Sequence, residues 1–225
     1  MKTSLIVTGL LFGGVLLAAD FVELNEAAAK AAKEKDFVTA EAKYAEALES
    51  AADPEQKTQA ILGKFEAMRG QNRVKEAEEF LLSSVENPDI RMQDARLMLN
   101  TLAGTMLWWK GREDRALELL QQAQNCECSK GDNVYFKTYY LMAVLYRNKA
   151  QFQTEIDVLN NILPIREQHP ANLYTAHYMT GGAYEKLGKP EEALKHYRLA
   201  LEFGKKVKYK FDYSPAEKAI ERLSE

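Results

Sequence analysis

The stretch TGGAYEKLGKPEEALKHYRLAL, residues 180–201, carries the pattern that decides the fold. Ala193, Tyr197 and Ala200 are spaced four and then three residues apart, which places all three on one face of a helix. The polar turn LGKPE, residues 187–191, precedes this helix and contains the Gly and Pro that are typical of helix ends and helix starts. The stretch therefore predicts a helix that follows another helix after a short turn.

The spacing of this second helix recurs four times earlier in the chain, and successive copies begin 37 to 39 residues apart. A fixed period of this length is the mark of a repeat protein. The fourth copy departs from the pattern, because Glu155 stands where the other copies have alanine. The earlier copies are Ala40, Tyr44 and Ala47; Ala77, Leu81 and Ser84; Ala116, Leu120 and Ala123; and Glu155, Leu159 and Ile162.

Each copy also has an upstream helix with a stripe of its own. All six prolines fall at proposed helix starts, ends or linkers, and no useful stretch alternates with the period of two that a strand requires. The chain is therefore expected to be all-α and built from antiparallel helix pairs. The first-helix stripes are Leu24, Ala28 and Ala31; Ile61, Phe65 and Met68; Asn100, Gly104 and Leu107; Tyr139, Ala143 and Tyr146; and His177, Gly181 and Tyr184.

This pattern resembles the tetratricopeptide repeat, whose signature includes L-G-x-x-Y in the first helix and A-x-x-x-F/Y-x-x-A in the second. Residues 180–201 are close to that signature, as is KDFVTAEAKYAEAL, residues 35–48. The resemblance is strong for the first and last copies and weakest for the fourth, and the spacing exceeds the 34 residues usual in this family. The five repeats are expected at about 21–54, 58–91, 97–130, 136–169 and 174–207.

The resemblance implies a right-handed superhelix, or α-solenoid, of about five helix pairs within residues 20–225. The last repeat of such a stack needs a polar cap. The segment YSPAEKAIERLSE supplies a predicted capping helix at residues 214–225. There Ser214 is expected to be the N-cap, Pro215 the first helical residue and Glu217 the partner in a capping box.

Residues 1–19 have the pattern of a secretory signal peptide, with Lys2, an apolar run and small residues before Asp20. The alternative is an uncleaved anchor, although the apolar run is shorter than the roughly 20 residues of a spanning helix. The chain is therefore predicted to be exported by a bacterium, either to the periplasm or outside the cell. The alternative places it on the inner membrane, facing the periplasm.

Composition and motifs argue against several classes of function. A formal net charge of −3 does not suggest a nucleic-acid binder. The sequence has no G-x-S-x-G, no H-E-x-x-H and no phosphate-binding glycine loop, and its three histidines lack metal-ligand spacing. Cys126 and Cys128 are expected to lie in a loop without a catalytic role. No catalytic residue, metal or cofactor is therefore expected, and the chain is predicted not to be an enzyme.

The stretch LWWKG, residues 107–111, suggests where a partner binds. Leu107 fills the core position of its stripe, so Trp108 occupies a position that is polar or small in the other repeats. In proteins that resemble this family, the residue after the core position faces a concave groove lined by first helices. Trp108 is then a groove residue, or it fills a wide gap between repeats. The groove candidates are Asn25, Leu62, Glu66, Arg69, Thr101, Thr105, Trp108, Tyr140, Arg147, Tyr178 and Glu185.

These observations favour a non-enzymatic scaffold that binds a protein partner, as a peptide or helix, in its groove. Two alternatives remain open: a structural protein that assembles into a homo-oligomer, and an enzyme accessory or carbohydrate-binding module. The basic stretch GKKVKYK, residues 204–210, is either a solvated helix end or a contact for anionic lipid or an acidic partner. The sequence does not identify the partner.

Overall fold

The computed structural model describes residues 8–107 and 111–225, with side chains described from Asp20 onwards. These residues form eleven helices and no strand, so the predicted all-α fold is confirmed. Trp108 and Trp109 lie outside the described residues. The helices are α1 (Thr8–Lys33), α2 (Phe37–Ser50), α3 (Pro54–Gly70), α4 (Val74–Val85), α5 (Met92–Met106), α6 (Glu113–Gln124), α7 (Asn133–Asn148), α8 (Phe152–Leu159), α9 (Pro170–Lys186), α10 (Pro190–Lys205) and α11 (Ser214–Ser224).

The helices form two compact units, residues 1–98 and 99–225, and α5 contains the boundary between them. In the first unit α1 packs on α2, α2 on α3 and α3 on α4, and α1 also contacts α3. In the second unit each helix from α6 to α11 packs on the next, and α7 also contacts α9. Contact between successive first helices is how one repeat stacks on the next.

The turn inside each of the five helix pairs places one residue in the left-handed region of backbone space. These residues recur with the period of the repeats, although only two of them are glycine. A left-handed residue after a helix lets its own N–H and that of the next residue bond back to the last carbonyls of that helix. The five residues and their φ angles are Lys35 (64°), Asn72 (64°), Gly111 (87°), Ala150 (55°) and Gly188 (69°).

The residue that follows each left-handed position closes the motif with a longer backbone bond. Its N–H donates to the carbonyl five residues earlier, which is the Schellman arrangement. The turn therefore ends the first helix and begins the second within three residues. The four such bonds among the described residues join Asp36 to Ala31 (2.9 Å), Arg73 to Met68 (3.1 Å), Gln151 to Tyr146 (2.9 Å) and Lys189 to Tyr184 (2.9 Å).

The predicted second-helix stripes form the core. Every one of their residues is buried except Tyr44, which is half-buried. The fourth copy is in the predicted register, since Glu155, Leu159 and Ile162 are all fully buried. Its helix α8 is the shortest, and the chain continues in turns up to Pro164. Proline lacks the N–H that a continuing helix would need at that point.

The two ends of the chain differ in how well they match expectation. Helix α1 contains part of the predicted signal peptide, whose cleavage stays a prediction. Among residues 8–107 and 111–225, no helix is both long and apolar enough to span a membrane. Helix α11 buries Ala216 and Ala219 as a cap, as expected. The prediction that Ser214 is its N-cap is wrong. Ser214 is itself the first helical residue, and Tyr213 occupies the N-cap position without a capping hydrogen bond from its side chain. The Asp212 carboxylate, one residue before Tyr213, accepts the backbone N–H of Ser214 at 3.0 Å.

The left-handed turns provide a test of the repeat boundaries. A non-glycine residue there is strained by its Cβ, so Ala150→Gly should stabilise the fold by about 1 kcal/mol. Gly188→Ala should destabilise it by about 1 kcal/mol through the same strain, because no atom lies within 4 Å of the added Cβ. Urea denaturation measures both. Midpoints that shift in the same direction, or a loss of stability in Ala150→Gly, would contradict the assignment of these turns.

Candidate functional site

The predicted groove residues fall into two sets, one in each unit. The first set lies on α1 and α3, where Asn25, Leu62 and Arg69 are half-buried and Glu66 is exposed. Two of the four, Glu66 and Arg69, line a cleft of about 450 Å³ formed by α1, α2 and α3. The residues that line the cleft are Ala32, Phe37, Tyr44, Gly63, Glu66, Ala67, Arg69 and Gly70.

Two aromatic rings of α2 lie directly against two glycines of α3 in this cleft. A Cβ on Gly63 would lie 2.3 Å from Cε1 of Tyr44, and a Cβ on Gly70 would lie 2.5 Å from the ring of Phe37. Any larger residue at either glycine would displace a ring. Phe37 and Tyr44 are seven residues apart on α2, and Gly63 and Gly70 are seven apart on α3, so the two rings lie about two turns apart on one face and each meets one glycine. The two rings form the apolar wall of the cleft.

The charged part of the cleft comes from the predicted residues. Arg69 and Glu66 form an ion pair at 2.7 Å, and the Arg69 guanidinium lies 5.5 Å from the centre of the Phe65 ring. The Glu66 side chain is 55% exposed, so solvent reaches the pair. Burial raises the pKa of Tyr44, which keeps its hydroxyl neutral at physiological pH. The cleft therefore offers an aromatic wall beside one exposed ion pair.

Sequence reasoning missed six of the eight residues of this cleft as parts of a site, and these include the two rings and the two glycines: Phe37, Tyr44, Gly63 and Gly70. Tyr44 was expected only as a core residue of the second helix. A signal existed, because two glycines seven residues apart follow a helix with two aromatic residues seven apart. Arg69 was predicted because it follows the core residue Met68, as Trp108 follows Leu107. Ala32 follows Ala31 and is the equivalent residue on α1.

In the second unit, three of the described groove candidates keep local contacts. Thr101 and Thr105 are half-buried on α5, and the Thr105 hydroxyl donates to the Leu102 carbonyl at 2.7 Å. The ring of Tyr140 stacks on Phe136 at 5.6 Å. Trp108, the candidate with the largest side chain, lies outside the described residues, so its role stays a prediction.

Arg147 instead joins three helices. Its guanidinium forms an ion pair with Glu155 at 2.6 Å and donates to the backbone carbonyl of Met179 at 2.7 Å. Glu155 is fully buried, and burial raises the pKa of its carboxyl while Arg147 opposes that shift. The charge of Arg147 is therefore what allows a carboxylate to occupy an alanine position of the repeat.

Glu185 and Tyr178 also have structural partners. Glu185 accepts from the Tyr197 hydroxyl at 2.5 Å and forms an ion pair with Arg222 at 2.8 Å. This links α9, α10 and the capping helix. The Tyr178 ring packs 5.4 Å from Tyr197 and 5.9 Å from Tyr174. These two candidates therefore help to hold the last repeat together.

Two of the histidines pack against each other between helices. His177 and His196 face each other with their Nδ1 atoms 3.2 Å apart, between α9 and α10. Burial, and then the neighbouring His196, lower the pKa of His177 to about 4, and burial also lowers the pKa of His196. Both rings are therefore neutral at physiological pH. Among residues 20–107 and 111–225, no group of three or more His, Cys, Asp or Glu side chains could hold a metal ion.

The Arg147–Glu155 pair leads to an asymmetric prediction. Arg147→Ala should cost about 3–5 kcal/mol, since it leaves a buried carboxylate without its cation. Glu155→Ala should cost less than about 1.5 kcal/mol, because Arg147 is partly exposed and can be hydrated. Urea denaturation of both variants and of the double variant measures this.

The same pair fixes the sign of a pH effect. A buried carboxyl with a raised pKa stabilises the fold below its unfolded pKa and loses that contribution as the pH rises through its folded pKa. The cost of Arg147→Ala should therefore be smaller near pH 5 than near pH 7. Equal losses for the two single variants, at either pH, would contradict the assignment.

Comparison with known proteins bears on the fold. No protein-family model and no curated protein matches the sequence. Several solved structures are similar. A crystal structure of MamA protein is 19% identical with a TM-score of 0.56, and the match covers 87% of this chain and 99% of that one. A second MamA crystal structure is 21% identical with a TM-score of 0.55, over 80% and 95% of the two chains.

YrrB, described as a TPR protein with an unusual peptide-binding site, is 19% identical with a TM-score of 0.53, over 86% of this chain and 88% of that one. Identities this low show the fold alone. They agree with the helix pairs, the recurrent turns and the buried alanine stripes described above. The chain therefore has the tetratricopeptide-repeat fold that its sequence pattern resembles.

Proposed function

We propose that this protein is a non-enzymatic scaffold that binds a peptide or helix of a partner protein on the surface of its first helices. The observation that carries the proposal is the cleft of the first unit. It brings together Arg69 and Ala32, which are positional equivalents of Trp108, with an aromatic wall and an exposed ion pair. Binding surfaces use aromatic and arginine side chains as anchors.

The cleft has the dimensions and chemistry to hold an apolar side chain of the partner. Its volume of about 450 Å³ exceeds that of a single large side chain, and Phe37 and Tyr44 supply apolar contact. The Arg69–Glu66 pair is solvent-accessible, so either partner can exchange its bond for one to a bound peptide. Such a site would recognise one apolar residue flanked by polar groups.

The fold supports a binding role, because stacked repeats present extended surfaces that partners use. YrrB, which shares the fold, is described as having a peptide-binding site. The non-enzymatic part of the proposal rests on the sequence, which lacks a catalytic motif. Trp108 is proposed as a second anchor, on the surface of the second unit.

The location is a further part of the proposal. Residues 1–19 have the charge, apolar run and small residues of a signal peptide. We propose that the chain is exported and meets its partner in the bacterial envelope or outside the cell. Anchoring by uncleaved residues 1–19 is the alternative.

Selection of displayed random peptides on the wild-type chain, followed by calorimetric titration, tests the cleft. The double variant Glu66→Ala, Arg69→Ala should bind the selected peptides at least ten-fold more weakly, as expected when an anchor is removed. The Glu66 and Arg69 side chains are 55% and 28% exposed, and an ion pair that solvent reaches contributes little to stability, so the thermal melting of the double variant should be close to that of the wild type.

The matched control is Arg115→Ala, Glu118→Ala, which removes another ion pair between residues three apart on a helix, at 2.9 Å. It should leave the affinity for the same peptides unchanged. Selected peptides that bind the cleft variant as tightly as the wild type would contradict the proposed site. A failure to enrich any peptide would contradict a peptide-binding function.

A further inference from the structure

One surface of the second unit is strongly cationic. It follows the solvent-facing side of α10 and continues into the segment that leads to α11. Its members on α10 are spaced three and then seven residues apart, which puts them on one face of the helix. We call this set the α10 cationic surface, and every one of its cations is exposed. Its cations are Lys195, Arg198, Lys205, Lys206, Lys208 and Lys210.

Few acidic residues offset these charges. Glu191 and Glu202 lie on the same face, and Glu202 already pairs with Lys206 at 2.7 Å. The exposed Asp212 is the one carboxylate in the segment between α10 and α11. The distribution across the chain is also uneven. Residues 99–225 contain 18 Lys and Arg against 16 Asp and Glu, whereas residues 20–98 contain 11 against 17. The cationic surface therefore belongs to the more basic unit, and its six cations exceed its three carboxylates by three.

Stabilisation of the helix end explains only part of this charge. Cations favour the last turn of a helix because its dipole is negative there, and the effect fades beyond that turn. Lys205 and Lys206 are at the end of α10, which stops at Lys205. Lys208 and Lys210 lie past the helix, and Lys195 and Arg198 lie in its middle. The four remaining cations are exposed and available to a partner outside the chain.

Apolar groups accompany the charges. The Tyr209 side chain, between two of the lysines, is 58% exposed, and its ring stacks on His169 at 5.9 Å. Leu194 and Leu199 are half-buried in a shallow hollow on α10. Every residue that lines this hollow belongs to α10, so it has no second wall. A tyrosine beside lysines is typical of groups that sit at a membrane interface.

We propose that the α10 cationic surface binds the headgroup layer of an anionic lipid bilayer, with Tyr209 at the interface. Charge complementarity favours an anionic partner, and clusters of four to eight basic residues are typical of anionic lipid binding. Five of the six cations are lysines, which are hydrated point charges on flexible stems. Such groups suit a fluid layer of headgroups, whereas a docked acidic protein would favour bidentate arginines and a walled groove.

Co-sedimentation of the full chain with lipid vesicles tests the proposal. One set of vesicles contains phosphatidylcholine alone, and the other contains equal parts of phosphatidylcholine and phosphatidylglycerol. The measured quantity is the preference for the anionic vesicles, because residues 1–19 are present in every variant and contribute to both sets. The wild type should prefer the anionic vesicles, and added salt should weaken that preference.

The triple variant Lys205→Gln, Lys208→Gln, Lys210→Gln should lose most of the preference. Each lysine near the surface contributes about five-fold, so three should account for about a hundred-fold at low ionic strength. The matched control is Lys30→Gln, Lys33→Gln, Lys35→Gln, which removes three exposed lysines around the end of α1. It changes the net charge equally and should keep the preference. Circular dichroism melts show whether both variants fold.

Three results would overturn the proposal. The triple variant could bind anionic vesicles as tightly as the wild type. The control could lose as much binding, which would show that net charge alone is responsible. The wild type could ignore both kinds of vesicle and bind soluble polyglutamate through the same lysines, which would make an acidic protein the partner.

Discussion

Helices in this protein approach each other at positions where one side chain is small. Ala40, Ala77, Ala116 and Ala193 have no solvent exposure, and each occupies the same place in its repeat. A methyl group at that place lets two backbones come close enough for dense packing. Glu155 is the exception, since a carboxylate replaces the methyl group. It is tolerated because the Arg147 cation compensates its charge and ties α7, α8 and α9 together.

The same constraint produces the candidate site. Where α3 has glycine rather than alanine, the rings of Tyr44 and Phe37 lie against its backbone, and a cleft remains beside them. Binding is therefore proposed at a place where glycine, the smallest residue, lets aromatic rings of α2 lie directly on the backbone of α3. The α10 cationic surface is different, because it lies on a face that packing leaves in solvent, and its proposed binding depends on charge together with the exposed Tyr209.

The repeat period was predictable because each stripe is a local pattern that helix geometry turns into a buried face. Long-range partners were not predictable in this way. The position of Arg147 after a core residue indicated partial exposure, yet its partner Glu155 is eight residues away and Met179 lies in the next repeat. Glu185 likewise meets Arg222 only after the chain folds. Left-handed turns at Lys35 and Ala150 had no glycine to signal them.

The most direct test of the packing rule compares two alanines of α2. Ala40 is fully buried in a second-helix stripe, and Ala42 is exposed two residues later on the same helix. Leucine has almost the same helix propensity as alanine, so the two substitutions differ mainly in packing. Urea denaturation should show that Ala40→Leu destabilises the protein by about 2 kcal/mol or more, while Ala42→Leu changes stability by less than about 0.5 kcal/mol. Equal stability of the two variants would contradict the dependence of the fold on small residues at these positions.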